Sequence, residues 1–143
     1  MKVEPFLLPV SLAVMVSQRL VGRLCSSCRK ADVAPPPVQK IISDALRALP
    51  SELTSQFREP YRIYHAPGCP NCKGRGIAGR IALYEAFEMS PALQEIITSG
   101  STLQRIFKEA RNQGMVTLRE DGVLKALAGE VLIEEVIRET EEF

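Results

Sequence analysis

Hydrophobic positions recur along this chain at helical spacing first. Leu12, Val16, Leu20 and Leu24 follow one another every four residues, with Ala13, Val14 and Val21 beside them. The spacing predicts a helix over residues 10–24, begun after Pro9. Gln18, Arg19 and Arg23 then fall near its C-terminal end, where cations suit the helix dipole. Val38, Ile41, Ile42, Ala45, Leu46 and Leu49 mark one face of a second helix over 38–49 that Pro50 stops, and residues 51–57 predict a short third. Between the first two helices, residues 29–37 read as a linker ending at the breaker Pro35-Pro36-Pro37. Residues 61–65 alternate aromatic and aliphatic with polar side chains. Residues 80–89 put Ile81, Leu83 and Phe87 on one face, so two strands are expected, joined as a hairpin over 61–89.

The remainder reads as helical. Ser90-Pro91 is an N-cap followed by proline at the first helical position, opening a helix over 91–98 that Ser99-Gly100 stops. A second helix covers 103–112 and ends at Gly114. Thr117-Leu-Arg-Glu120 has capping-box spacing and opens a third to Leu127. Gly129 ends that one, and residues 133–140 form a fourth with Glu134 and Glu135 in its first turn. Connections of a few residues predict that these four helices pack as one bundle. The fold class expected is α+β and mostly helical: a short β-hairpin subdomain, then a small C-terminal helical bundle.

With 45% hydrophobic and 24% charged residues among 143, the chain is globular. The net charge of +1 removes any bulk electrostatic case for nucleic acid. That charge is uneven, with 12 Lys/Arg against 5 Asp/Glu up to residue 82 and 6 against 12 afterwards. Two solvated faces of opposite sign account for it.

Four cysteines change the picture most. Cys25-x-x-Cys28 and Cys69-x-x-Cys72 are all the cysteine present, with 40 residues between the pairs. Two such knuckles with nothing left over are the ligand set of one tetrahedral Zn²⁺. The helix at 38–49 accounts for the long gap. Gly68, Gly74, Gly76 and Gly79 allow the backbone to turn tightly around the second pair, and Lys73, Arg75 and Arg80 add positive charge near four thiolates. Four sulfurs fill the coordination sphere, so the zinc is structural rather than catalytic. Its task would be to hold the 10–24 helix against the hairpin. His65, the single histidine, stands as an alternative ligand or a surface strand residue. Met1-Lys2 and the apolar run 6–16 imitate a short signal peptide, which would make disulfides with three possible connectivities an alternative use of the cysteines, beside redox or unused thiols. Glu4 and the absence of a small-x-small cleavage site argue against it, and the run is too short to span a bilayer.

The chain has no G-x-x-x-x-G-K-[ST] phosphate loop, no His-x-x-x-His pair and no Gly-x-Ser-x-Gly elbow. The carboxylates of 134–142 lie on an amphipathic helix and tail, a solvated face rather than an acid/base pair. No catalytic and no cofactor-binding residue is assigned. Arg19 and Arg23 either cap their own helix, pair with acids of the second half, or reach a phosphate on a neighbouring domain.

In order along the chain, Glu4-Pro-Phe-Leu-Leu8, Gln18-Arg-Leu-Val21, Leu24-Cys25-x-x-Cys28, Gly68-Cys-x-x-Cys72, Gly79-Arg80 and Tyr84-Glu85 are followed by Gln113-Gly-Met-x-Thr-Leu-Arg-Glu-Asp-Gly122, Lys125, Gly129 and Glu135. This series resembles the C-terminal part of the type II secretion and type IV pilus assembly ATPases. The resemblance implies a hexameric motor that hydrolyses ATP with Mg²⁺ and acts on an inner-membrane platform protein from its cytoplasmic face, with no direct nucleic-acid partner. It implies the tail of a RecA-like core at 1–24, a tetracysteine zinc subdomain at 25–88 and a helical subdomain at 89–143. The phosphate loop and the acidic and histidine-rich nucleotide boxes have no counterpart in this sequence. Gly22 stands where an arginine is common. A fragment of a longer ATPase, inactive alone, is the expectation. Two other classes are open. Cys69-Pro-Asn-Cys-Lys-Gly-Arg-Gly76 fits the zinc repeat of J-domain co-chaperones, though Cys25-Ser-Ser-Cys28 lacks the glycines. A zinc-ribbon nucleic-acid binder could use the basic first half, but clustered aromatics for base stacking are missing.

Overall fold

The computed structural model describes residues 4, 6–100 and 102–141. Met1, Lys2 and Val3 of the signal-like start, and Glu142 of the acidic tail, lie outside them. The elements run α1 (Leu7–Ser11), β1 (Val14–Leu24), β2 (Lys30–Val33), α2 (Pro36–Arg47), α3 (Ser51–Thr54), β3 (Arg62–His65), β4 (Ile77–Glu88), α4 (Pro91–Thr98), α5 (Leu103–Asn112), α6 (Leu118–Leu127) and α7 (Ile133–Glu139). Seven helices accompany two small antiparallel sheets among the described residues, an α+β architecture. None of these helices is long and apolar enough to cross a membrane.

The helix expected over 10–24 is a strand. Its apolar residues repeat every four, and four is an even number, so a strand keeps them on one face as well as a helix does. Val14, Val16 and Val21 are β-branched and decide for the strand. Leu12, Val16 and Leu20, expected in a core, are exposed, and only Val21 and Leu24 are buried. The expected linker also contains structure: β2 lies within it, and Pro36 and Pro37 open α2 rather than block it, since a first turn has no use for their missing N–H. Nor do β3 and β4 form a hairpin. β3 pairs with β2, Asp32 opposite Ile63, while β4 pairs with β1.

The chain divides into two compact units, residues 1–17 with 84–117, and 18–83 with 118–143. In the first, α4 packs on α5 and on α1 around Leu93, Ile97, Ala110 and Met115. Ser90 caps α4 as expected, its Oγ accepting from Leu93 N–H at 3.1 Å. The same hydroxyl donates to Glu109 Oε1 (3.0 Å), which also accepts from Gln113 Nε2 (3.3 Å). These hydrogen bonds, Ser90's foremost, hold the Glu109 carboxyl below its ordinary range. A depressed carboxylate stabilises the fold above its unfolded pKa of about 4.3, and that contribution disappears as pH falls through the folded value. Glu109→Gln should therefore lower the melting temperature at pH 7, with the gap to wild type closing toward pH 3. A gap independent of pH would show that the charge is irrelevant.

In the second unit α6 packs on α7, α2 and β3. Ile42, Leu83, Val123, Val131, Ile133 and Val136 are fully buried there. Gln39 ties the start of α2 to the approach to β3, donating to Ala34 O and Tyr61 O and accepting from Tyr61 N–H at 2.9 Å. The four C-terminal helices are thus not one bundle. A short connection permits neighbours to pack but does not require it, and α4–α5 and α6–α7 each bury their apolar faces in a different unit.

Candidate metal centre

β1, not a helix, delivers Cys25, whose N–H donates to Gly76 O just before β4 at 2.8 Å. The chain then turns once, Cys28 N–H and Arg29 N–H both donating to Cys25 O (3.2 and 3.0 Å). The second pair sits on a 3₁₀ turn, Pro70–Cys72, closed by Lys73 in the left-handed region at φ 54°. Gly68 and Gly76 have positive φ, and a Cβ at either would lie 2.4 or 2.3 Å from a backbone oxygen, of Gly74 and Ala66 respectively. Only glycine lets the loop fold this closely on itself. Asn71 Nδ2 donates to Ser27 Oγ at 3.1 Å, joining the tips of the two knuckles.

Cys25, Cys28, Cys69 and Cys72 converge, with all four Sγ atoms within 4.8 Å of one another. Cys25 and Cys69 are 3.8 Å apart, Cys69 and Cys72 3.8 Å, and Cys28 and Cys72 4.0 Å. None is bonded to another. Zn–S bonds of about 2.3 Å would set tetrahedral sulfurs about 3.8 Å apart, so the donor set and its spacing fit such an ion. The thiols are electrostatically unequal. Burial raises Cys28, and the sulfurs of Cys69, Cys25 and Cys72 add to it against one lowering contact from Gly68, so it is pushed up to about 12. Burial raises Cys72 too, but the N–H groups of Cys69 (3.1 Å) and Gly76 (3.2 Å), with the Cys69 and Cys25 thiols, more than offset that and bring it down to about 6. A cation entering here would meet Cys72 as the readier thiolate and would have to displace the proton that Cys28 holds more tightly.

His65 is not in the cluster. Its Nδ1 lies 3.0 Å from Asp32 Oδ2 across the β2–β3 pair. Lys73, Arg75 and Arg80 are exposed around the second knuckle, and Arg75 Nε donates to Cys72 O. Arg19 and Arg23 are exposed on a strand and have no helix of their own to cap. Sequence reasoning passed over Arg29, whose guanidinium donates to Gly129 O and Ala128 O and lies over the Tyr64 ring. Its position directly after the knuckle was the available signal.

Comparison with known proteins bears on the whole chain. The type IV pilus assembly ATPase PilB of Thermus thermophilus is 39% identical over 140 residues, covering 98% of this chain and 15% of that protein. The type II secretion system ATPase E of Vibrio cholerae is 34% identical over 142 residues, 99% of this chain and 26% of the relative. PilB of Myxococcus xanthus is 33% identical over 142 residues, 98% and 23%. The chain therefore spans about a quarter or less of the length of these relatives. A family described as type II/IV secretion system protein has its model matched over residues 1–138, and this chain belongs to that family.

Proposed function

We propose that this chain is the C-terminal part of a hexameric motor ATPase that powers type II secretion or type IV pilus assembly, and that its own contribution is a structural zinc site. The observation that carries the reading is the family match along residues 1–138 together with four sulfurs within 4.8 Å of one another. Cys25, Cys28, Cys69 and Cys72 hold the ion, which supplies a cross-link between the end of β1 and the loop before β4 and leaves no position open for water. On this reading residues 1–24 are the tail of a RecA-like core. The exposed Val14, Val16 and Leu20 of β1 support assigning that strand to a larger sheet. Residues 25–88 are the zinc subdomain and 89–143 the helical part, of which α6 packs on α2 and β3 of the zinc subdomain while α4 and α5 belong to the other unit. ATP and Mg²⁺ are bound by parts of the motor that this chain does not span. Its partners are the rest of the core, neighbouring subunits, and the platform protein at the cytoplasmic face of the inner membrane.

The purified chain should carry close to one zinc and hydrolyse no ATP. The functional test is a chimera: Thermus thermophilus PilB with its matching 140 residues replaced by this chain. ATP hydrolysis by the chimera is the expected result. A chimera that folds and holds zinc yet leaves ATP intact would sink the motor assignment.

A further inference from the structure

The segment from Arg23 to Arg29 grips the corner between α6 and α7 from both sides of the first cysteine pair. Before the pair, Leu24 N–H donates to Glu130 O at 2.8 Å and Arg23 bridges Val131. After it, Arg29 Nη1 donates to Gly129 O at 2.6 Å and to Ala128 O at 3.3 Å. Those carbonyls follow the last turn of α6, where a cation also meets the negative end of the helix dipole. The guanidinium carbon lies 5.6 Å from the Tyr64 ring centroid. Gly129, at φ 73°, presses on the same ring, three of whose atoms would lie 3.0 Å from any Cβ there. Tyr64 and Arg29 thus bear on the same corner and on each other. Arg29 is held there by the cysteine turn, through its own N–H to Cys25 O.

We propose that Arg29 is a positioning residue that transmits metal occupancy of the cysteine cluster to the α6–α7 corner, and so to the seating of α7. The inference rests on the zinc reading. A bound ion ties the 25–28 turn to Cys69 and Cys72 and fixes the distance from Leu24 to Arg29, so both grips close on one corner. Without the ion, thiols 3.8–4.0 Å apart supply little to hold the turn, and the Arg29 grip slackens. Coupling is reciprocal, so loosening the corner also weakens metal binding by the same factor.

Hydrogen exchange on the zinc-loaded chain tests this, read at the amides of Ala128, Gly129 and Glu130, which donate to Leu124, Ala126 and Lys125. Arg29→Ala should speed exchange there about tenfold, the scale of one lost charge-assisted hydrogen bond, and leave residues 69–76 unchanged at saturating zinc. Arg29→Lys, which keeps the charge but loses the planar fork, should recover part of the protection. Chelating the metal from wild type should reproduce the Arg29→Ala pattern at the corner and add little in the variant. Unchanged exchange at 128–130 in zinc-loaded Arg29→Ala would overturn the proposal, even where chelation unfolds the chain outright. Freshly reduced wild type without metal would overturn the zinc reading itself. Metal present with a corner indifferent to its removal would overturn only the coupling.

Discussion

Cys72→Ser is expected to abolish stoichiometric zinc and to lower the melting temperature by ten degrees or more, on the order of what loss of a structural metal does to a small unit. Of the four cysteines proposed to hold the ion, Cys72 is the best prepared: it is buried, accepts from two backbone N–H groups, and is the thiol brought down to about 6. A serine hydroxyl keeps those hydrogen bonds in part but is a poor ligand for zinc at neutral pH. Apparent binding free energies of structural zinc, about 10–16 kcal/mol with four ligands, rival the whole stability of a domain, about 5–15 kcal/mol. Losing even a fraction of that outweighs any single packing change here. Metal analysis and far-ultraviolet circular dichroism melts read both effects, the latter because the chain has no tryptophan to follow. Chelator-treated wild type should melt where the variant does. A variant that keeps one zinc and a wild-type melt would show that three sulfurs suffice and that Cys72 is a packing residue.

The cysteine quartet was legible because ligand spacing is local and the count leaves no remainder; the structure brings together the four sulfurs that the spacing selected. The Ser90 cap and the apolar face of α2 were legible for the same reason, being settled within a turn or two of the residue concerned. β1 was not. Leu12, Val16, Leu20 and Leu24 satisfy both periods, and the arbiter, pairing with β4, lies more than fifty residues away. The same non-locality hid the β2–β3 pair inside an apparent linker and the separation of α4–α5 from α6–α7. Arg29 was passed over because a lone arginine after a knuckle looks solvated until its two carbonyl partners, about a hundred residues on, are known.

Gly122→Ala should destabilise the second unit by about 1–3 kcal/mol, although alanine is the better helix former by about 1 kcal/mol. Gly122 lies inside α6 and is buried. A Cβ there would come 2.4 Å from Val136 Cγ1, 3.1 Å from Val136 Cγ2 and 3.2 Å from Leu83 Cδ1. Val136 and Leu83 are themselves fully buried, so neither can withdraw without disturbing further core atoms. This explains the glycine in the Gln113-to-Gly122 motif as a point where α7 packs on α6 too closely for a side chain. Its neighbours fix the same contact from the rim: Arg119 donates to Thr140 Oγ1 and O at the end of α7, and Lys125, paired with Asp121, donates to Ala82 O beside Leu83. Steric overlap and helix propensity predict opposite signs, so one melt separates them. A stabilised Gly122→Ala would mean that α7 shifts freely on α6. A double variant adding Val136→Ala should cost less than the sum of the two single changes, by about 1–2 kcal/mol, because removing the valine methyls makes room for the new one. Strict additivity would place the strain elsewhere and detach Gly122 from the α6–α7 contact.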